Sequence, residues 1–392
     1  MTTGIRIAID IRLLGKKRTG DETVFFELTR EVIRQDVLNE YFLLTNESNP
    51  EALDVLYKRL GLAKENPRQH LVVLPATNRF VWNGVTLPRY LKTAAIDVFH
   101  TQYILPFWLP KGLKVVNHIH DVSFCAYPEL IDKKDLFFLN LLIPRSLRRS
   151  NAIVTPSAFT KTEIVKYYGT DEAKIHVIYN ALGSDFGVGT VSTLTDQELR
   201  HKYQLPEQYL LYVGTLQPRK NIPFLLEAFA KLQASLPSLQ LVLVGNRKAH
   251  HFDSKIEHAI GELQLAERVV FPGYVAEEDL PRIYQMADIF VFPSLYEGFG
   301  IPLLEAMSME VPVIASDQAC LREIGGDAAL YFDLDKIDSL AELLYSLEVV
   351  GAQKQALIEK GKLRIKEFSW QKSATKLIAL YQSWTGDKSK SL

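Results

Sequence analysis

An α/β fold of two doubly wound domains in tandem is predicted by three observations on the sequence. Short β-branched and aromatic runs alternate with stretches of helical periodicity along most of the chain, as parallel strands joined by crossover helices do. The alternation lapses once, over residues 181–206 (ALGSDFGVGTVSTLTDQELRHKYQLP), which hold several Gly, Ser and Thr and no core strand, and then restarts. The 392 residues exceed what one ordinary core organises. The domains are placed at 1–182 and 183–368, with a terminal helical segment at 369–392.

Taken in order, residues 5–14 (IRIAIDIRLL) read as a buried first strand, followed by the polar turn Lys16-Lys17-Arg18-Thr19-Gly20. Residues 22–34 set Val24, Phe25, Leu28 and Val32 at helical spacing. Strands follow at 41–44 and 71–74. Residues 80–94 read as a helix that contains Pro88. Strands at 97–100, 114–119, 152–155 and 175–178 complete the first domain, which closes at Asn180. In the second domain, strands are expected at 209–213, 239–244, 269–271, 289–292, 312–315 and 329–332. Helices are expected at 222–232, 280–286, 301–307 and from 336 past Gly361. In the last helix Ala374, Leu377, Ile378 and Tyr381 share one face.

Composition narrows the function. Hydrophobic residues make up 47%, which suits a globular protein, and the formal net charge of -1 argues against a nucleic-acid partner. Cys125 and Cys320 are far apart and match no disulfide or metal pattern, as a reducing cytoplasm allows. The N-terminal MTTGIRIAIDIRLL lacks the apolar core and cleavage site of a leader, and no segment approaches the roughly 20 apolar residues of a membrane span. Lys133, Lys134, Phe137, Phe138, Leu141, Leu142, Arg145, Arg148 and Arg149 mix cations with apolar groups on one expected helix. That helix suits peripheral contact with the inner face of a membrane, and suits equally the ordinary role of covering the sheet.

The chemistry concentrates in residues 287–316, ADIFVFPSLYEGFGIPLLEAMSMEVPVIAS, read as strand, glycine loop, helix, strand. A glycine loop feeding a helix presents backbone N–H groups and the positive end of the helix dipole, which favours a diphosphate. Lacking a Cβ at Gly298 and Gly300, the backbone is open to close approach. Glu297 stands before the helix and Glu305 within it, so the two carboxylates suit the two ends of an elongated ligand with sugars at both ends. Each feature alone is more often a solvated glutamate or a plain turn. A second cluster, Val213-Gly214-Thr215-Leu216-Gln217-Pro218-Arg219-Lys220-Asn221, sets two cations in a strand-to-helix loop, with Asn221 as the expected N-cap. The commoner fate of such a pair is a solvated basic turn. A third, His118-Ile119-His120-Asp121, follows a strand of the first domain, where a lone histidine is more often structural than catalytic. Ser157 reads as the N-cap of a helix over 161–168.

The Glu297…Glu305 pair, a glutamate, seven residues and a second glutamate, together with Gly298, Phe299, Gly300, Pro302 and Ala306, resembles the retaining glycosyltransferases of family 4. The resemblance covers most of residues 5–385 and is densest over 209–316. It implies the GT-B fold: two Rossmann-like domains facing across a cleft, acceptor on the first, donor on the second, the final helix crossing back onto the first. It implies a nucleotide-sugar donor and a saccharide or lipid-linked acceptor. Arg219 and Lys220 are then the diphosphate clamp, with Gly214 ending the strand before them. Glu297, Gly298, Phe299, Gly300 and Ile301 hold sugar and diphosphate, and Glu305 the ribose. Tyr274 and Val275 lie at the turn whose backbone holds the base. His120 contacts the transferred sugar, so His120, Glu297, Arg219 and Lys220 form the catalytic set. Gly20, Asp121 and Ser157 fall on the acceptor side, Asp121 also suiting a turn cap. The sequence departs from the family at Thr19-Gly20-Asp21-Glu22, where one glycine and two acids stand in place of two glycines.

No metal or other cofactor is expected. Asp333-Leu334-Asp335 has a metal-like spacing but lies in a polar turn, and the cations supply the electrostatics a metal would. UDP-glucose and GDP-mannose are the candidate donors, UDP first as the commoner base, in polysaccharide synthesis. A sugar-nucleotide epimerase on the same fold and a non-catalytic sugar-nucleotide-binding partner protein are the alternatives.

Overall fold

The computed structural model describes residues 4–14, 20–63, 65–183, 186–187, 192–248, 252–351 and 353–384. The chain divides into two units: residues 1–183 with 369–392, and residues 184–368.

The first unit is built on a seven-stranded sheet with the order β3-β2-β1-β4-β5-β6-β7. Its strands are β1 (Arg6–Asp10), β2 (Glu40–Thr45), β3 (Gln69–Val73), β4 (Val98–Gln102), β5 (Lys114–His118), β6 (Ala152–Thr155) and β7 (Ile175–Val177), every pair parallel. Parallel strands covered on both faces carry apolar residues almost continuously, and Ile7, Ala8 and Ile9 are all buried. β1 is shorter than expected. After Ile11, which still bonds the Leu44 carbonyl, the chain turns and the Leu14 N–H bonds the Ile11 carbonyl. The order reverses between β1 and β4, the switch point where doubly wound sheets take ligands at their strand ends.

The helix containing Pro88 survives by a local change of pitch. Arg79–Val81 is α-helical, Trp82–Thr86 is a π turn and Leu87–Thr93 is α-helical again. Proline has no N–H for the carbonyl four residues back, that of Gly84. The Trp108 indole takes that carbonyl instead, at 3.1 Å. The π turn sends the Leu87 N–H to Trp82, and the Phe107 N–H takes the Asn83 carbonyl at 3.1 Å.

The second unit carries a six-stranded parallel sheet, β10-β9-β8-β11-β12-β13. These are β8 (Tyr209–Val213), β9 (Gln240–Val244), β10 (Val269–Val270), β11 (Ile289–Phe292), β12 (Val313–Ser316) and β13 (Ala329–Phe332). Its switch point lies between β8 and β11, so the loops after those two strands are neighbours. The stretch read as a connecting segment holds a helix, Asp196–Tyr203, closed by a capping box between Thr195 and Glu198. The long helix expected from residue 336 is broken: Ile337–Tyr345 passes into a π turn, Gly351 turns at φ +66°, and Lys354–Arg364 follows.

The last helix, Trp370–Gln382, is part of the first unit. Its Trp370 indole donates to the Leu182 carbonyl at 2.8 Å, and the Ser373 hydroxyl to the Tyr179 carbonyl at 2.6 Å. Ala374, Leu377 and Tyr381, three of the four residues expected on its apolar face, are buried, while Ile378 is only half-buried.

Candidate active site

The loops after β8 and β11 meet through charge. Pro218–Lys220 forms one 3-10 turn and delivers Arg219 and Lys220 to the same carboxylate. The Lys220 ammonium donates to Glu297 Oε1, and Arg219 Nη1 stands 3.3 Å from Glu297 Oε2. Arg219 also donates to the Tyr296 carbonyl, and its own carbonyl accepts the Leu295 N–H at 2.9 Å. Lys220 lies over the Phe292 ring, its ammonium 5.2 Å from the centroid. Glu297 is 8% exposed and Lys220 9%. Burial alone would raise the Glu297 carboxyl. The charges of Lys220 and Arg219 outweigh it and hold the group at about 2. The three side chains sum to one positive charge in a place shut from solvent, where an anion gains most.

Asn221 is not the expected side-chain cap. It lies in the left-handed region at φ 55°, which asparagine tolerates, and its side chain makes no capping bond to the Ile222–Ala230 helix. The two glycines Gly214 and Gly245 are needed by packing at the ends of β8 and β9. A Cβ on Gly214 would meet the Tyr212 hydroxyl at 2.7 Å, and one on Gly245 the Gly214 carbonyl oxygen at 2.4 Å.

The glycine loop after β11 leads into the Ile301–Ser308 helix as expected, and its second glycine is also needed by the fold. Gly300 has φ +100°, and a Cβ there would meet Leu321 Cδ2 at 3.0 Å. Its missing side chain is required by the turn and by the packing around Leu321. Phe299, expected at the donor, is buried edge-on against Phe368 with centroids 5.5 Å apart. Gly298 is buried and Ile301 half-buried. Glu305 has a different partner from Glu297: its Oε2 accepts the Tyr284 hydroxyl at 2.8 Å. Tyr284 is fully buried among aromatic rings, and burial and the Glu305 charge push its hydroxyl well up. Tyr274 is 86% exposed, beside Gly273 at φ +77°, and Val275 is half-buried.

In the first unit His120 follows β5 and is 4% exposed. Its Nε2 is 2.7 Å from Gln102 Oε1 at the end of β4, and its ring stacks on His118 at 4.4 Å. His118 stacks in turn on His100 at 5.9 Å. Burial drives His118 well below the usual histidine range and His100 to about 3, so both stay neutral. Asp121 caps the next turn, its Oδ1 accepting the Ser123 N–H at 2.9 Å and hydroxyl at 2.8 Å. The Ser157 hydroxyl is buried and caps the Ala158–Tyr168 helix by accepting the Thr160 N–H at 3.0 Å. Gly20 is the first residue of the Gly20–Gln35 helix and is exposed, while Thr19 lies outside the described residues. Gln102 and Tyr284, which hold His120 and Glu305, were missed from the sequence because no spacing links them to their partners. At the strand switch of this unit, Asp10 is buried and accepts the Trp82 indole N–H at 3.1 Å, with Arg12 beside it.

Asp333 accepts the Asp335 N–H at 2.9 Å and pairs with Lys336, a self-contained turn. No group of three or more His, Cys, Asp and Glu arranged to hold a metal occurs among the described residues.

In fold the chain is a GT-B protein. Sucrose-phosphate synthase from Thermosynechococcus elongatus superposes with a TM-score of 0.74, covering 98% of this chain and 100% of that one at 20% identity. Anabaena HepE, solved with UDP and glucose, does so with 0.71 over 97% and 100% at 17% identity. Family membership rests on sequence. Residues 18–185 match the family model "Glycosyltransferase Family 4" and residues 195–364 match "Glycosyl transferases group 1". O-antigen chain mannosyltransferase B of Escherichia coli is 34% identical over 281 residues, 70% of this chain and 72% of that protein. The chain belongs to the group 1 glycosyltransferases, of the family 4 type.

Proposed function

We propose that this glycosyltransferase moves mannose from GDP-mannose to a saccharide or lipid-linked acceptor during assembly of a polysaccharide, with retention at the anomeric carbon. The observation that carries the transfer reading is the buried cluster of Glu297, Lys220 and Arg219 at the switch point of the second sheet. Its net positive charge suits a departing nucleoside diphosphate. Arg219 and Lys220 take up the phosphate charge while Glu297 holds hydroxyls of the sugar. Glu305, kept in place by Tyr284, holds the ribose. Tyr274, exposed at its turn, is open to lie against the base, and within the first unit His120, oriented by Gln102, is the side chain assigned to sugar hydroxyls. The acceptor oxygen forms its bond to the anomeric carbon as the bond to the diphosphate breaks, and the acceptor proton passes to the departing phosphate oxygen. The transition state has oxocarbenium character. The cations do the work a divalent metal would do, so none is required.

Mannose takes first place because the E. coli relative is a mannosyltransferase. A UDP-sugar, glucose first, is the second reading, favoured by the UDP and glucose in the HepE structure. Calorimetric titration with GDP and with UDP, beside Glu305→Ala, tests both. Binding of GDP alone, lost in the variant, supports the proposal. Binding of UDP alone moves the donor to the second reading. Binding of neither overturns the donor site, and binding without turnover of the nucleotide sugar favours a non-catalytic partner protein. The division of labour predicts that Glu305→Ala raises the nucleotide Kd while Glu297→Ala lowers kcat. Equal loss of both quantities in both variants rejects it.

A further inference from the structure

Six of the large apolar side chains exposed on the first unit gather in one place, and they include its exposed phenylalanines and tryptophan. Phe137 is 64% exposed and Leu141 59%, one turn apart on the Lys133–Arg149 helix. Phe80 is 50% exposed and Val85 55%, both on the interrupted helical run from Arg79 to Thr93. Phe107 and Trp108, each 42% exposed, stand on the loop between the two helical segments.

These are one surface. Phe80 meets Phe138 edge-on at 6.3 Å, and Phe138 meets Phe137 at 5.7 Å. The loop is tied to the first segment by the Trp108 and Phe107 bonds to Gly84 and Asn83. It is tied to the second by Arg145 and Arg149, which donate to the Phe107 carbonyl. The aromatic tips are therefore held on a braced backbone with much of each ring left in water, where the exposed part costs hydration.

The charge around them is predominantly positive. Between residues 132 and 149 the cations Lys133, Lys134, Arg145, Arg148 and Arg149 outnumber the acids Asp132 and Asp135. Arg79 adds its guanidinium over the rings of Phe80 and Phe138, at 5.2 and 5.9 Å from their centroids. Over the whole chain the formal charge is only -1, so this excess is local. Apolar and aromatic tips inside a basic rim match an interface of acyl chains below anionic headgroups, the tips entering the boundary and the cations staying at headgroup level. A protein partner with an apolar patch would not ask for the rim. No helix among the described residues is long and apolar enough to cross a membrane, so attachment through this face is peripheral.

We infer that the face formed by Phe80, Val85, Phe107, Trp108, Phe137 and Leu141 docks the protein on an anionic bilayer surface. The inference is independent of the donor reading. It places the enzyme where a lipid-linked acceptor resides.

The full chain is tested by flotation with vesicles of phosphatidylcholine alone and of phosphatidylcholine with phosphatidylglycerol, at low and at high salt. The first variant is Phe137→Ser with Leu141→Ser. The second is Lys133→Gln, Lys134→Gln and Arg148→Gln, exposed side chains outside the donor site. The wild type is expected to float with the anionic vesicles at low salt and much less at high salt. Each variant should lose on the order of tenfold or more in partitioning. Both should keep the thermal midpoint and the nucleotide affinity of the wild type, which separates lost docking from lost folding. Quenching of Trp108 fluorescence by brominated lipid, absent in Trp108→Phe, locates the contact. Three results overturn the inference: no flotation with anionic vesicles at low salt, equal flotation with neutral vesicles, or flotation that neither variant lowers. Self-association abolished by the first variant, without vesicle binding, assigns the face to a second copy and likewise overturns it.

Discussion

At the scale of single residues, a buried carboxylate between two cations is held by balance rather than by strength. Burial opposes the charge of Glu297, and Lys220 and Arg219 restore it. Removing one cation leaves the others mismatched, and loss of one partner of a buried pair is the costly change. Lys220→Met is therefore expected to lower both stability and turnover, the latter by ~2–4 kcal/mol of transition-state stabilisation. Urea denaturation and kcat measure the two separately. A depressed carboxyl stabilises the fold at and above the ordinary carboxylate range. That contribution is lost as pH falls through that range toward about 2. The stability difference between wild type and Glu297→Gln should thus be largest above pH ~4.5 and shrink steadily below it. Tyr284→Phe removes one buried hydrogen bond to Glu305 and nothing else of its shape. Nucleotide Kd should rise about fivefold, the worth of about 1 kcal/mol, with kcat unchanged.

At the scale of elements, the entry to the Ile301–Ser308 helix depends on backbone geometry that only glycine adopts cheaply. Gly300→Ala would force a Cβ against Leu321 at a positive φ, and about 1–3 kcal/mol of stability should be lost. The chemical denaturation midpoint reads this directly. The same glycine is thus fixed by core packing as well as by the turn. The π turn at Trp82–Thr86 is a comparable case, where a proline inside a helix is accommodated by a donor from a distant loop, the Trp108 indole N–H, for the Gly84 carbonyl.

At the scale of the molecule, the last helix belongs to the unit that begins the chain. Tyr381 is fully buried there and hydrogen-bonds His100 at 2.5 Å, while Trp370 and Ser373 tie the helix to residues 179–182. A protein ending at residue 368 should lose the fold of its first unit while keeping that of the second. Limited proteolysis followed by mass spectrometry would find the second unit intact and the first digested. Trp370→Ala, a milder change, should cost about 3–5 kcal/mol. Acid sensitivity should also lie in this unit. The unfolded chain protonates His100 near pH 6.5, whereas the folded protein holds it neutral down to about 3, so stability falls as pH drops through that window. His100→Asn should flatten the slope.

The succession of strands and helices along the chain, the existence of two doubly wound units, and the glutamate–glycine and arginine–lysine loops follow from local pattern: β-branched runs, helical spacing and glycine before a helix each act over a few residues. Even so, the Asp196–Tyr203 helix was passed over, although Thr195 and Glu198 carry its cap signal in sequence. What the sequence determined by itself was therefore the kind of element at most places and the two loops that carry the candidate site residues. Tertiary structure alone decided which of those residues meet. It brought Glu297 onto Lys220 and Arg219 across 77 and 78 positions, set Gln102 against His120 and turned Phe299 into the core. The physical reason is that hydrogen bonds and ion pairs are fixed by distance in space. Distance in space comes from sheet order, which places the ends of β8 and β11 side by side and leaves no periodic trace in the chain.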